Sequence, residues 1–361
     1  MKKDNKLPIK AIAALIAALL LLPGLFSCAG GARSETEETY APTGTPTTEA
    51  PETEPSATES RDESVTPRGT DDTVIDGPAP LMWRVTDAEG HELYLFGTIH
   101  LGDERSDAVL GRVAPILGEC DALAVEFDSV AYTGDLTRMM KDMSQYVLTD
   151  GSTVSDYMPE DLYRNSCDLI KRAGLNPAIY SRYNLAWWSQ LVDTAEMMIC
   201  SELDEKKAMD ELLIGFAYDA DIPVKEVESG EYQMALLNSF DNELYLLMIE
   251  DALDSIESYG DDLNKLYGLW LSGDRDSLWE YLAIDTDVTA GDYTEEQTEL
   301  LRDYFRRLLD DRNEGMFGKA ISYLESGQTV FLAVGAAHMA NEGGLVELLT
   351  EAGYSVEPVV Y

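Results

Sequence analysis

Histidine is almost missing from this chain, with three in 361 residues. Basic residues are scarce too: 26 Lys and Arg stand against 68 Asp and Glu, for a formal net charge of −42. That balance excludes nucleic acid as a partner, because phosphate recognition needs a basic surface. It leaves a well-solvated exterior that attracts cationic or divalent-metal partners. Cysteine occurs four times, at 28, 120, 167 and 200, with no CxxC pair. This spacing excludes a disulfide framework and a zinc knuckle, and Cys120, Cys167 and Cys200 read as small buried apolar residues. No HExxH, GxSxG, P-loop or GxGxxG is present, which removes the zincin helix, the nucleophile elbow and the phosphate-cradling loops. A serine triad would have to borrow one of the few histidines.

What is present begins with a targeting segment. Four lysines within residues 2–10 precede an apolar block at 11–22, too short for a comfortable membrane span of ~20 residues. The block ends in Leu25-Phe26-Ser27-Cys28, which resembles a bacterial lipoprotein cleavage box with Cys28 as the lipidated residue. The rival is a plain secretory signal with an incidental cysteine. Either predicts an exported protein, and the lipoprotein reading places it on the outside of the cell membrane. Residues 29–80 are Thr, Glu, Ser, Pro, Ala and Gly with almost nothing apolar. Such a stretch cannot bury enough surface to offset its chain entropy, and it reads as a self-repelling tether.

The folded part is predicted over 81–361. Two strand-like runs, 82–87 and 91–97, flank the hairpin signal Ala88-Glu89-Gly90, with His91 exposed at the turn. A helix over 106–117 and a strand over 122–127 follow. From about 134 to 320 the pattern is helical, broken by a short strand at 222–228 and by turns at Gly260, Gly273-Asp274 and Ala290-Gly291. The aromatics of Tyr183-Asn184-Leu185-Ala186-Trp187-Trp188 could form a ligand platform, but their spacing favours helix packing. A strand at 329–334, a helix at 344–352 and a strand at 354–359 close the chain. The fold class is therefore α/β: a mixed, largely parallel sheet from two strand–GxxH–helix–strand units around a large helical insertion.

Two of the three histidines stand in matched frames. Leu93-Tyr94-Leu95-Phe96-Gly97-Thr98-Ile99-His100 and Val330-Phe331-Leu332-Ala333-Val334-Gly335-Ala336-Ala337-His338 are each an apolar strand run, a glycine, and a histidine three residues on. Glycine lets the chain turn sharply off a strand and bring backbone close to a ligand. Sites in open α/β sheets form beyond the carboxyl ends of the strands. His100, His338, Glu126 and Glu228 all fall there, giving two imidazoles and two carboxylates on one rim. Such donors suit a divalent Zn, Mn or Co ion with an open position for water. The bland alternative is two core histidines satisfied by backbone.

These residues also carry a family resemblance. The GxxH frames, with Ala124-Val125-Glu126, Met209-Asp210-Glu211, Val227-Glu228 and the following Gln233, Tyr267 before Gly273-Asp274, and Asp311-Arg312-Asn313, resemble the TraB/PrgY/GumN family over 83–359. That family includes the Tiki metalloproteases and is distantly similar to erythromycin esterases and ChaN-type haem-binding lipoproteins. The resemblance implies an α/β domain and, for the Tiki branch, metal-dependent peptidase activity. For TraB and PrgY it implies reduction of a peptide pheromone signal. It assigns His100 and His338 as ligands of a divalent metal (Mn, Co or Zn) and Glu126 as ligand or general base. Glu228 is a second acidic candidate, and Arg312 a candidate to hold a substrate carboxylate or oxyanion. Against these stand a solvated salt-bridge face for Arg312 and a helix cap or pair for Asp210. The leading expectation is a membrane-tethered metal-dependent hydrolase acting on peptides. The alternatives are a module that sequesters a peptide or haem, and a structural lipoprotein with a degenerate site.

Overall fold

The computed structural model describes residues 79–286, 293–339 and 343–361. The expected signal with Cys28, all of the expected tether but residues 79 and 80, and the break expected at Ala290-Gly291 lie outside the described residues.

The amino-terminal hairpin forms where the turn chemistry predicts it. Strands β1 (Met82–Thr86) and β2 (Glu92–Thr98) pair antiparallel, and Gly90 takes the left-handed φ of +89° that the turn requires. His91 is half-buried there, its Nδ1 donating to Asp87 at 2.7 Å. Helix α1 (Glu104–Leu117) leads to β3 (Ala122–Val125). Strands β4 (Val224–Glu226), β5 (Val330–Gly335) and β6 (Ser355–Pro358) complete a six-stranded sheet in the order β4-β3-β5-β2-β1-β6. Strand β1 is antiparallel to both its neighbours, and β2, β5, β3 and β4 run parallel to one another.

The two strand–GxxH–helix–strand units exist in sequence order but interleave in space. Strand β5 of the second unit inserts between β2 and β3 of the first, and β6 crosses to the far edge beside β1. All of β3 and β5 is buried, as expected of parallel strands covered on both faces, whose sequences read as continuous apolar runs. On one face Phe96, Leu123, Val125 and Phe331 join the core of the helical region. On the other, Leu93, Leu95, Leu332 and Val334 pack with residues of helices α12 (Asp311–Glu325) and α13 (Leu345–Glu351). Edge strand β6 is short, largely exposed and ends at Pro358, features that discourage further pairing.

The helical region comprises α2 (Ser129–Gly134), α3 (Leu136–Met143), α4 (Glu160–Arg172), α5 (Leu185–Cys200) and α6 (Met209–Asp219), then, after β4, α7 (Gly230–Leu237), α8 (Asn242–Ser255), α9 (Tyr259–Ser272), α10 (Arg275–Thr286) and α11 (Glu295–Phe305). Trp187 and Trp188 are core residues of α5. Asn184 caps that helix by accepting from the Trp187 N–H. Cys120 and Cys167 are buried free thiols, and Cys200 is partly buried. The break expected at Gly260 falls just before it, between Ser255 and Tyr259. Gly260 lies inside α9, and its lack of a side chain admits the Cys200 carbonyl, which a Cβ would meet at 2.1 Å. The chain turns just before it, and the αL residue Gly273 ends the helix. No described helix is long and apolar enough to cross a membrane.

Candidate functional site

The four parallel strands end on one rim, and each delivers a residue there. His100 follows β2, Glu126 is next after β3, Glu228 follows β4, and His338 closes the 3-10 turn Ala336–His338 after β5. Because β2, β5 and β3 are direct neighbours, histidines 238 positions apart in sequence are brought together by strand order alone.

Local packing fixes each residue. The turn after β2 is held by the Trp270 indole, which donates to the Gly97 carbonyl at 2.8 Å. A Cβ on Gly97 would lie 3.1 Å from Ala336 Cα, so the two GxxH turns pack backbone to backbone. The Met209 N–H donates to the Ile99 carbonyl at 3.1 Å. This seats the amino end of α6 on that turn and brings Asp210 to His100, whose Nδ1 donates to Oδ2 at 2.5 Å. Beyond β3 and β4 the ladder continues for two rungs: Val227 N–H to Val125 O and Glu228 N–H to Glu126 O, both 2.9 Å. The two glutamates are thereby held side by side.

Helix α12 supplies two more parts from adjacent positions. Asn313 accepts from His338 Nδ1 at 2.7 Å, with its amide orientation fixed by donation to the Gly343 carbonyl at 3.0 Å. Arg312 reaches the other way. Its Nε donates to Glu228 at 2.9 and 3.1 Å, Nη2 to Glu228 at 2.8 Å and to Glu126 Oε2 at 2.5 Å, and Nη1 to the Leu308 carbonyl at 3.3 Å. Gln233 of α7 donates to Glu126 at 3.2 Å and to Glu228 at 2.8 Å. The Gly335 N–H donates to Glu126 Oε1 at 2.8 Å. His100, Glu126, Arg312 and His338 are each no more than 7% exposed.

Both rings therefore give their Nδ1 proton to a fixed acceptor and keep Nε2 for the pocket. A Cβ placed on Gly335 would lie 3.3 Å from Glu126 Oε1, 3.6 Å from His100 Nε2 and 3.7 Å from His338 Cδ2. This glycine marks the point on which the three side chains converge. His338 Nε2 stands 3.9 Å from Glu126 Oε1. Among the described residues no three His, Cys, Asp or Glu side chains are gathered closely enough to hold a metal ion.

The charges are unequally placed. Burial and then the Arg312 guanidinium push the His338 imidazole down to about 3, so this ring is neutral. Burial pulls His100 down as well, but the Asp210 carboxylate against its Nδ1 reverses the shift and the net movement is upward. Burial alone would raise Glu126. Arg312, with the Gly335 amide, overrides it and holds the carboxyl well below the usual range.

All five site residues assigned in sequence meet in this cluster: His100, His338, Glu126, Glu228 and Arg312. Arg312 is buried and not part of a solvated face, and its hydrogen bonds go to the two glutamates and Leu308 instead of to an open pocket. Asp210 orients His100 in addition to standing in the first turn of α6, and Asn313 and Gln233 hold the other members. In sequence, Asp210 is indistinguishable from a carboxylate favoured by the helix dipole. Asn313 carries no signal beyond its place after Arg312. No curated protein and no solved structure matches the chain. The model of the TraB/PrgY/gumN family matches residues 81–358, which contain the whole of this cluster, and the chain belongs to that family.

Proposed function

We propose that this protein is a metal-dependent hydrolase that acts on peptides outside the cell membrane, to which a lipid on Cys28 tethers it. The observation that carries the reading is the orientation of the two rings. Each Nδ1 is tied to Asp210 or Asn313, which turns His100 Nε2 toward the Gly335 cradle and His338 Nε2 toward Glu126 Oε1, 3.9 Å away. Metal-binding imidazoles are held in this way, through the nitrogen that does not touch the ion. The donor types, two imidazole nitrogens and Glu126 Oε1, are those of a divalent Mn, Co or Zn ion, and binding would have to draw them closer than they stand in this structure. Such an ion, when bound, acidifies water and polarises a carbonyl.

The remaining work belongs to the chain. Asp210 and Asn313 fix the tautomers of His100 and His338. Arg312 and Gln233 hold Glu126 and Glu228 in place. Glu126, kept ionised by Arg312, presents Oε1 beside the rings as the carboxylate ligand of the ion, and a carboxyl held so low is a weak proton acceptor. Burial of the whole set keeps bulk water from competing with substrate.

The test is elemental analysis of the full chain purified without chelator, as wild type, His100→Ala and His338→Ala. The wild type should carry about one divalent ion per chain and both variants should carry none. A peptide mixture incubated with the loaded protein should be shortened by mass spectrometry. Equal metal content and equal melting temperature in all three proteins would end the proposal. A second reading, peptide sequestration without cleavage, is favoured by one observation: both oxygens of Glu126 are already occupied by Gly335, Arg312 and Gln233. Intact peptides co-eluting with metal-loaded protein would decide for it.

A further inference from the structure

Beside the buried cluster lies a solvent-open cavity of about 320 Å³ lined by Tyr232, Ala235, Leu236, Ser239, Arg307 and Asp311. It is joined to the site through sequence neighbours, since Tyr232 precedes Gln233 and Asp311 precedes Arg312. The Tyr232 phenol, raised by burial first, also feels the charges of Glu228, Arg312, Asp311 and Arg307.

The helix that carries these residues is irregular at this point. Between α11 and α12, Arg306–Asp310 form a π-turn, closed by the Asp311 N–H on the Arg306 carbonyl. In an α-helix residues five apart point ~140° from each other. A turn closed i→i+5 swings them back toward one side. The π-turn thus changes the angle between Arg307, at the cavity wall, and Arg312, at the buried glutamates. The Leu308 carbonyl inside this turn is taken by Arg312 Nη1, so the irregularity is tied to the site itself.

Arg307 is held half-open, and its ion pair to Asp303 is long. Its guanidinium lies 4.3 Å over the Phe240 ring, donates from Nη2 to Ser239 Oγ, and comes no nearer than 3.5 Å to Asp303. Asp303 and Asp311 are both gripped by Arg306, at 2.7 Å and at 2.6 and 2.8 Å. The acidic groups next to Arg307 are therefore already paired, while most of its five donors are uncommitted. A fixed, half-open guanidinium above an apolar floor of Ala235 and Leu236, with a phenol at the rim, is the chemistry that takes a carboxylate in a two-pronged grip.

We propose that this cavity is a substrate subsite in which Arg307 binds a peptide carboxylate, either the chain terminus or an Asp or Glu side chain. The volume is at the low end for ligand pockets and accommodates a single residue rather than a folded partner. This rests on the peptide reading of the neighbouring site. Arg312, fully engaged with the glutamates, leaves carboxylate recognition to Arg307.

The test is fluorescence anisotropy with the full-length protein and three labelled hexapeptides of one neutral sequence. The first has a free C-terminus, the second a C-terminal amide, and the third is an amide with one internal Glu. At least one carboxylate-bearing peptide should bind about tenfold more tightly than the neutral amide, and which one does so identifies the carboxylate source. Arg307→Gln should bring that ratio close to one, and Arg307→Lys should restore part of it. Metal content and melting temperature should not move in either variant. Equal or absent binding of all three peptides to wild type overturns the subsite, as does a preference that survives Arg307→Gln. A wild type that carries no metal when purified without chelator and shortens no peptide when loaded, yet keeps the preference, overturns the hydrolase reading and leaves the subsite standing. A metal-loaded protein that cleaves peptides with no regard to their carboxylates does the reverse.

Discussion

His338 and Asn313 are joined by a 2.7 Å hydrogen bond from Nδ1 to Oδ1, made inside a pocket where the ring is only 2% exposed. Replacing Asn313 by Leu keeps most of the volume but leaves the Nδ1–H buried without an acceptor. Stability should fall by about 1–3 kcal/mol. The ring, free to turn or to change tautomer, should lose about 10–100-fold in affinity for a divalent ion. Denaturant unfolding reads the first effect and metal titration of the native variant reads the second. A variant that loses stability but binds metal as before would make Asn313 a packing residue only.

Arg312 pairs with both carboxylates, Glu126 and Glu228. Removing it, as Arg312→Met, strands the Glu126 and Glu228 charges and should cost about 3–5 kcal/mol. Arg312→Lys should recover only part of this, because an ammonium cannot supply the fork that engages both acids. Adding Glu228→Gln to Arg312→Met should cost less than the sum of the two single changes, since the pair shares one interaction. A double-mutant cycle measured by denaturant unfolding gives the coupling. Additive losses would show that the ion pairs contribute nothing jointly.

Much of this was open to the sequence and some was not. The apolar runs of β2, β3 and β5, buried on both faces, announce parallel strands, and the glycine three residues before His100 and before His338 announces a turn off each. That these turns touch depends on β5 entering between β2 and β3, a pairing across more than two hundred residues that no local pattern encodes. The frames are also offset by one rung, with Gly97 beside Val334 and Thr98 beside Gly335. Asp210 and Asn313 escaped because a carboxylate in the first turn of a helix and an amide in a charged helix both have ordinary explanations. Gly260 marked the break between Ser255 and Tyr259 only to within two residues, because the glycine itself serves to admit the Cys200 carbonyl. The π-turn leaves no trace among the charges of residues 302–312, and with it the different fates of Arg307 and Arg312 stay hidden.

Gly335 separates the volume of the site from the stability of the fold. Its backbone angles, φ −49° and ψ 137°, are open to any residue. A methyl group there would sit 3.3 Å from Glu126 Oε1, a slightly tight contact, and 3.6 Å from His100 Nε2. Gly335→Ala should therefore fold with a modest change in melting temperature and fill the point where the donors converge. Metal uptake and peptide turnover should both be lost. Gly97→Ala is the contrast, since its Cβ meets Ala336 backbone at 3.1 Å and the two turns would have to part. It should lower the melting temperature more than Gly335→Ala does. Normal metal uptake in a folded Gly335→Ala protein would show that the centre lies elsewhere.

Glu205 gives the molecule a pH dependence apart from the site. Burial first, then the neighbouring charges of Asp204 and Glu211, raise its carboxyl to about 7. An unfolded chain binds this proton only below the ordinary glutamate range, near 4.5. Between those values the folded state holds more protons than the unfolded state, so the contribution of this group to stability falls as pH rises from about 4.5 to about 7. Above that window the charged carboxylate is a fixed burden. Glu205→Gln removes the charge and keeps the shape. Its melting temperature should match wild type near pH 4.5, exceed it by a growing margin up to about pH 7, and hold that margin at higher pH. A difference that stays flat over that range would mean that Glu205 is ionised in the folded protein throughout.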